Sequence, residues 1–309
     1  MDARTRRQNR AAEREKLRQR DLQRKRQLKY VLIGVAALAV VIILAVFVLP
    51  SACSGPETGI EGDDASMTTD PTDEEMQQSF AQYYFYEEER SERYLKYQIA
   101  NPDLTPEQVV VRVNVDLDSE AYEITTPVSD PNSLLALVSK HFYLPSDYEP
   151  TDLVRFGEAE IRSEAAQPLE QLLAAASGDG VSLLPASGFR TASRQDDLYS
   201  GYHNSLGQEL ADIQSARAGF SEHQTGYVID FNPTNYLFYD TPQAHWLEEN
   251  AHTYGFIVRF TEENSDITLY IHEPWHLRYV GVEIANFMKE NNIGSFEEYW
   301  VKYVQHSPS

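Results

Sequence analysis

Residues 265–281 read SDITLYIHEPWHLRYVG, and the fold turns on whether the HEPWH inside them is helix or strand. Its letters match H-E-x-x-H, in which two histidines four apart on one helix face share a metal ion. Both rings project together only from a continuous helix. Pro274 works against one, because it has no N–H to give and biases Glu273 before it toward extended backbone. Upstream, ITLYI is rich in β-branched and aromatic residues and predicts a strand arriving at His272. The picture is a strand running into a turn, with Glu273 and His276 both near its end. The helical alternative would also need a third ligand downstream, for which Glu297 or Glu298 is available.

Other ligands are sought in SEHQTGYVIDF, residues 221–231. A lone histidine is usually an ordinary hydrogen-bonded side chain, but an aspartate within an apolar strand is harder to dismiss. Asp230 stands between Ile229 and Phe231, and a buried carboxylate needs a cation, a metal or several donors. His223, seven residues earlier, cannot share its face of a straight strand. Gly226 supplies the turn that would bring the ring back over Asp230. Two histidines and an aspartate leave one position of a tetrahedral zinc open, as catalytic rather than structural sites do.

Around these segments, TPEQ at 105–108 reads as a capped turn and VVVRVNVDLD at 109–118 as an alternating strand, after a helix from Phe80 to about Ile99. PNSLLALVSKHF, AAQPLEQLLAAAS, TASRQDDLYSGYHN, QAHWLEENAHTYG and GVEIANFMKENN predict helices. VSLLPASGFR and YVIDF predict strands. There is no regular βαβ alternation and no glycine-rich phosphate loop. The fold class expected is α+β, a single domain with a small mixed or antiparallel sheet flanked by helices.

Four segments then follow one another in a recognisable order: SGFRTASRQ (187–195), SEHQTGYVID (221–230), YGFIVRF (254–260) and EPWHLRYVG (273–281). From about residue 90 to 305 the chain resembles VanY-type D-alanyl-D-alanine carboxypeptidases, zinc metallopeptidases of the bacterial cell wall with L,D-carboxypeptidase relatives. The resemblance implies one zinc per chain, held by His223, Asp230 and His276. It implies Glu273 as the base that takes a proton from zinc-bound water, and Arg190 as the cation facing the polarised carbonyl or a substrate carboxylate. Gln195, Ser221, Phe189 and Trp275 match positions lining the substrate cleft, and Arg278 and Tyr279 match the motif. Phe189 stands where the family often has tyrosine, Thr191 replaces a common serine, and TEENSDITLYIH lacks the usual glycine turn. The implied substrates are peptidoglycan stem peptides. D,D-cleavage of a terminal D-Ala is expected first, L,D-cleavage of a tetrapeptide second, and a non-catalytic wall-binding module third.

The remainder of the chain concerns placement. Its formal net charge is −22, but residues 1–30 hold about +8 and the rest about −30. The basic arm would suit nucleic acid were it not followed by VLIGVAALAVVIILAVFVLP at 31–50, twenty residues without a charge. Such a run spans roughly 30 Å of hydrocarbon, so no nucleic-acid partner is expected. The run is too long for a cleaved signal peptide and reads as a single-pass anchor, with 1–30 cytoplasmic and the catalytic domain outside, facing the wall. Residues 51–79 read as an acidic flexible tether, 80–130 as a helix–strand extension and 131–307 as the catalytic domain. Cys53 is the only cysteine, which excludes an internal disulfide. It also raises a lipoprotein signal, which Pro50 fits poorly.

Overall fold

The computed structural model describes residues 72–306. The basic arm, the apolar run at 31–50, Cys53 and most of the tether lie outside these residues. Among the described residues no helix is long and apolar enough to cross a membrane.

The centre is a four-stranded sheet in the order β5 (Pro185–Ser187), β6 (Val228–Phe231), β8 (Glu273–Tyr279) and β7 (Phe256–Phe260), antiparallel throughout. A short parallel pair, β1 (Thr126–Pro127) with β2 (Phe142–Tyr143), and a hairpin, β3 (Leu153–Phe156) with β4 (Ala159–Arg162), lie outside it. The register sets Asp230 opposite His276 and Ser187 opposite Asp230, so three strands meet at one point. One core packs Ile229, Phe231, Phe256 and Leu277 against Leu169 and Leu172 of α4 (Ser163–Gly178) and Leu247 of α7 (Pro242–Asn250). Helix α7 starts where Thr241 caps it with Pro242 in the first turn. The helical run after it ends at Gly255, whose φ is +82° and where a Cβ would sit 2.7 Å from the Tyr279 ring.

Several expected elements differ. Residues 109–118 are not a strand. Thr105 and Gln108 form a reciprocal capping box with Pro106 behind the cap, and Pro106–Asn114 is a helix, α3. Val109, Val110, Val111 and Val113 are all buried, so only Glu107, Gln108 and Arg112 are left as a polar side and the valine run mimics a strand pattern. The acidic tether ends sooner than read: Thr72 and Glu75 cap α1 (Asp73–Ala81). The single helix expected over 80–99 is broken, with α2 running Ser91–Ala100.

The segment 131–142 forms turns rather than a helix. Its Leu134 and Ala136 carbonyls accept from the Arg278 guanidinium at 2.8 and 3.2 Å, so they serve a distant partner instead of a local turn. The expected strand over 267–271 is likewise absent. A single helical turn, α8 (Ser265–Thr268), is stopped by Leu269 at φ +62°, and the strand begins only at Glu273.

The extension and the catalytic domain, read as separate pieces, form one body. Phe80, Tyr94 and the α3 valines share a core with Val280, Met288 of α9 (Val282–Glu290), Phe296 of α10 (Phe296–Tyr299) and Val301. Lys302 pairs with both Glu107 and Glu298 (2.7 Å to the latter), and Gln305 and His306 reach Glu87 at 3.1 and 3.0 Å. Residues 73–118 therefore clasp the C-terminal segment.

Candidate active site

The helical reading of HEPWH is excluded by its backbone: Glu273, Trp275 and His276 all lie within β8. The motif residues come together differently, by strand register and one tight turn. Asp230 on β6 faces His276 on β8. After Ser221 the chain makes a 3-10 turn over Glu222–Thr225, closed by Gly226 in the left-handed region (φ +75°). A Cβ there would sit 2.9 Å from Arg162 Cγ, so only glycine fits both the φ and the space. That turn returns His223 to Asp230, as its position in the sequence implied.

The donor atoms of His223, Asp230 and His276 all lie within 4.8 Å of one another. His223 Nε2 is 3.2 Å from Asp230 Oδ2, and His276 Nδ1 is 3.1 Å from Asp230 Oδ1. The imidazoles stand perpendicular with centroids 5.0 Å apart. Each ring is held by its other nitrogen. His223 Nδ1 donates to the Gly188 carbonyl at 2.7 Å, and His276 Nε2 donates to Glu222 Oε1 at 3.0 Å. Those bonds leave Nε2 of His223 and Nδ1 of His276 aimed at Asp230, each with a lone pair to give when its ring is neutral. Asp230 Oδ1 is buried and has no hydrogen-bond partner despite its closeness to His276. With both rings neutral, as metal ligands must be, two inward lone pairs and the orphaned carboxylate oxygen are acceptors facing acceptors, an arrangement that fits a metal ion at their centre.

The electrostatics agree. Burial alone would raise the Asp230 carboxyl, but the adjoining histidines hold it far below the usual carboxylate range. His223 is pushed down by burial and by the Arg190 guanidinium, so it stays neutral and able to ligate. His276 would also be lowered by burial, but Asp230 and Glu222 override that and bring it up to about 9 in the metal-free protein. A metal ion would replace that proton.

Glu273 sits beside the trio, its Oε2 3.6 Å from His276 Nδ1 and its side chain 14% exposed to the cleft. Burial pushes it up to about 7, against the pull of His276. Arg190 is fixed by Gln195 Oε1 at 2.6 Å and Ser187 Oγ at 2.9 Å, with its Nη2 3.9 Å from Asp230 Oδ2. Of the residues expected to line the cleft, Gln195 is buried and committed: its amide donates to Ala216 O and Ser215 Oγ while its oxygen holds Arg190. Its place is behind Arg190. Ser221 is buried at the start of the 3-10 turn, and Phe189 is half-buried with its N–H on the Glu160 carbonyl. Trp275 stacks on Tyr239 (5.9 Å, 14°) and forms wall. All four border a cleft of about 590 Å³ that also contains Arg190, the donor trio and Glu273.

His272 is not part of the cluster; its Nδ1 lies 3.1 Å from the Phe260 carbonyl. Glu297 is bound to Arg259 and Glu298 to Lys302, so neither is a ligand. Arg278 and Tyr279 are buried structural residues. Sequence reasoning missed Glu222. It is 4% exposed and bonded to His276 and to Arg259 Nε at 3.0 Å. The available signal was Arg259, a charge inside the apolar strand FIVRF that required a buried carboxylate.

Comparison with known proteins places this geometry in context. The profile of VanY, "D-alanyl-D-alanine carboxypeptidase", matches residues 158–282. "Putative carboxypeptidase YodJ" of Bacillus subtilis (strain 168) is 37% identical over 191 residues, 57% of this chain and 70% of that protein. A "D-alanyl-D-alanine carboxypeptidase" of Enterococcus faecalis (strain ATCC 700802 / V583) is 32% identical over 175 residues, 53% of this chain and 65% of that one. Among solved structures, that of the LdcB LD-carboxypeptidase, described as revealing the molecular basis of peptidoglycan recognition, is 37% identical with a TM-score of 0.54. It covers 58% of this chain and 90% of its own.

Proposed function

This chain belongs to the VanY family of D-alanyl-D-alanine carboxypeptidases, and we propose that it is a zinc enzyme removing the terminal D-Ala from peptidoglycan stem peptides. The observation that carries this reading is the convergence of His223, Asp230 and His276 with Glu273 and Arg190 at one end of an open cleft. Two imidazoles and a carboxylate are a nitrogen–oxygen donor set suited to zinc and leave room for reactants. When bound there, zinc supplies Lewis acidity, making water easier to deprotonate and a carbonyl easier to attack.

The chain's own residues do the rest. Glu273, poised near neutrality by its burial, takes a proton from the attacking water and passes it to the amine nitrogen as the peptide C–N bond breaks. Arg190 cannot lose its charge at neutral pH. Clamped by Gln195 and Ser187, it meets the negative charge gathering on the carbonyl oxygen, or the terminal carboxylate, with a preset donor pair. The Glu222 and Gly188 bonds keep both imidazoles oriented through the cycle.

Cleavage of D-Ala–D-Ala ends is the first reading, supported by the family and the Enterococcus faecalis relative. The greater identity with the LdcB LD-carboxypeptidase favours a second reading, removal of D-Ala from tetrapeptides. We also propose that the charge-free run at 31–50, with its basic flank, anchors the chain in the cell membrane with the catalytic domain outside. Free D-Ala released from pentapeptide and from tetrapeptide, each with and without a chelator, tests the chemistry. Chelator-sensitive release from pentapeptide alone supports the first reading, and release from tetrapeptide alone moves the assignment to L,D. Release from neither refutes a carboxypeptidase.

A further inference from the structure

Four buried charged side chains stand in a row that starts at the wall of the cleft with Glu222 and runs back behind the metal-ligand cluster. Glu222 spans the first step, with Oε1 on His276 Nε2 at 3.0 Å and Oε2 on Arg259 Nε at 3.0 Å. Arg259 turns its other two nitrogens to Glu297, with Nη1 at 3.0 Å from Oε2 and Nη2 on Oε1, a two-point bond. Arg278 closes the group, its Nη1 3.8 Å from Glu222 Oε2. Glu222, Arg259, Glu297 and Arg278 are 4%, 1%, 2% and 0% exposed.

Resting on the function proposed above, we infer that Glu222 is a positioning residue for that reaction, aiming His276 at the metal through a brace formed by Arg259 and Glu297. A lone carboxylate on the far side of an imidazole could rotate with it. Glu222 cannot, because its second oxygen is committed to Arg259. Arg259 cannot yield either, because Glu297, on α10 of the C-terminal segment, holds both its terminal nitrogens in one plane. The brace therefore fixes the rotation of a ligand that β8 alone places only to within a side-chain torsion. A hydrogen-bonded carboxylate behind a ligating imidazole also strengthens its donor nitrogen. Losing such a partner costs about 10–100-fold in metal affinity.

The test uses the full chain in detergent, as wild type, Glu222→Gln, Glu297→Gln and Arg259→Lys, each stripped of metal and titrated with zinc against a chromogenic chelator. Cobalt spectra and kcat and KM for D-Ala release are taken alongside. Glu222→Gln keeps the shape and an acceptor oxygen but loses the charge. It is expected to weaken zinc binding 10–100-fold, shift the visible cobalt bands and lower kcat with KM little changed. Arg259→Lys, which leaves Glu222 in place but cannot grip both carboxylates, is expected to move the cobalt bands the same way to a smaller degree. Glu297→Gln should follow Arg259→Lys. If Glu222→Gln binds zinc as tightly as wild type with unshifted cobalt bands, the inference is wrong and the four charges only fill the core. Should Glu222→Gln lose its cooperative melt, Arg259→Lys decides by the same two readouts. Wild type that binds no zinc would instead overturn the proposed function.

Discussion

Gly188 offers the sharpest test of how the site is built. Its carbonyl holds His223, and Arg190 lies two residues on. A Cβ added at Gly188 would sit 2.1 Å from the Glu160 carbonyl oxygen and 2.9 Å from that residue's C and N. These are backbone atoms of β4, so no side chain can swing aside. One chain must retreat by roughly 1 Å. Overpacking of this kind costs about 1–3 kcal/mol, which for a domain of this size lowers Tm by about 2–12 °C. The same retreat moves the acceptor of His223, and a 1 Å error in a catalytic constellation costs on the order of 10²-fold in rate. Gly188→Ala is thus expected to melt lower, to lose about tenfold or more in zinc affinity, and to turn over on the order of 10²-fold more slowly. Gly201→Ala is the control, since nothing lies within 4 Å of its Cβ. That change within α5 (Ala192–Leu206) should leave turnover intact and raise stability by up to about 1 kcal/mol. A Gly188→Ala protein with the melting temperature, zinc affinity and turnover of wild type would refute the close approach and the role given to the Gly188 carbonyl.

Three further outcomes are expected. His223→Ala should lose bound zinc and D-Ala release together, whereas His272→Ala should keep its zinc; the opposite pattern by metal analysis would reinstate the helical reading of HEPWH. Glu273→Gln should retain zinc while kcat falls by about 10²–10⁴-fold, as for loss of a general base; near-normal turnover would remove Glu273 from the mechanism. In the metal-free protein the folded-state value of Glu273, near 7, exceeds its ordinary one, so folding favours its protonated form. That contribution is complete below about pH 4.5 and is lost as pH rises through 7, amounting to up to about 3 kcal/mol. Tm against pH for metal-free wild type should therefore fall relative to metal-free Glu273→Gln between pH 4.5 and 7. Parallel curves would contradict the burial assigned to Glu273.

What could be read in the sequence was chemistry that obeys local rules. Asp230 in an apolar strand, Gly226 as the returning turn and Pro274 as a veto on helix are each consequences of one residue's geometry, and the structure bears out all three. The errors arose where a distant partner overrides a local pattern. The valines of α3 prefer strands, yet Thr105, Pro106 and Gln108 start a helix there, and the N-terminal helices together with the α9–α10 region bury its valines. Segment 131–142 has helical periodicity, yet its carbonyls belong to Arg278, some 140 residues later. Glu222 had no local signature at all, because an acidic residue beside a histidine reads as surface. Only the need of Arg259 for a buried counter-charge pointed to it.

The clasp between residues 73–118 and the C-terminal segment has a consequence for the order of events during synthesis. Tyr84 bonds the Lys302 carbonyl, and Gln305 bonds Glu87 across 218 residues of sequence. Residues 73–118 thus lack these partners until residues 296–306 have been made. Until then the valines of α3 are covered only in part, by Phe80, Phe85 and Tyr94, and closing so long a loop is slow. Maturation should accordingly finish in one late step, in which residues 296–306 seal residues 73–118. A chain ending before Phe296 would lack Glu297 as well as that seal, leaving an aggregation-prone intermediate rather than a weaker enzyme.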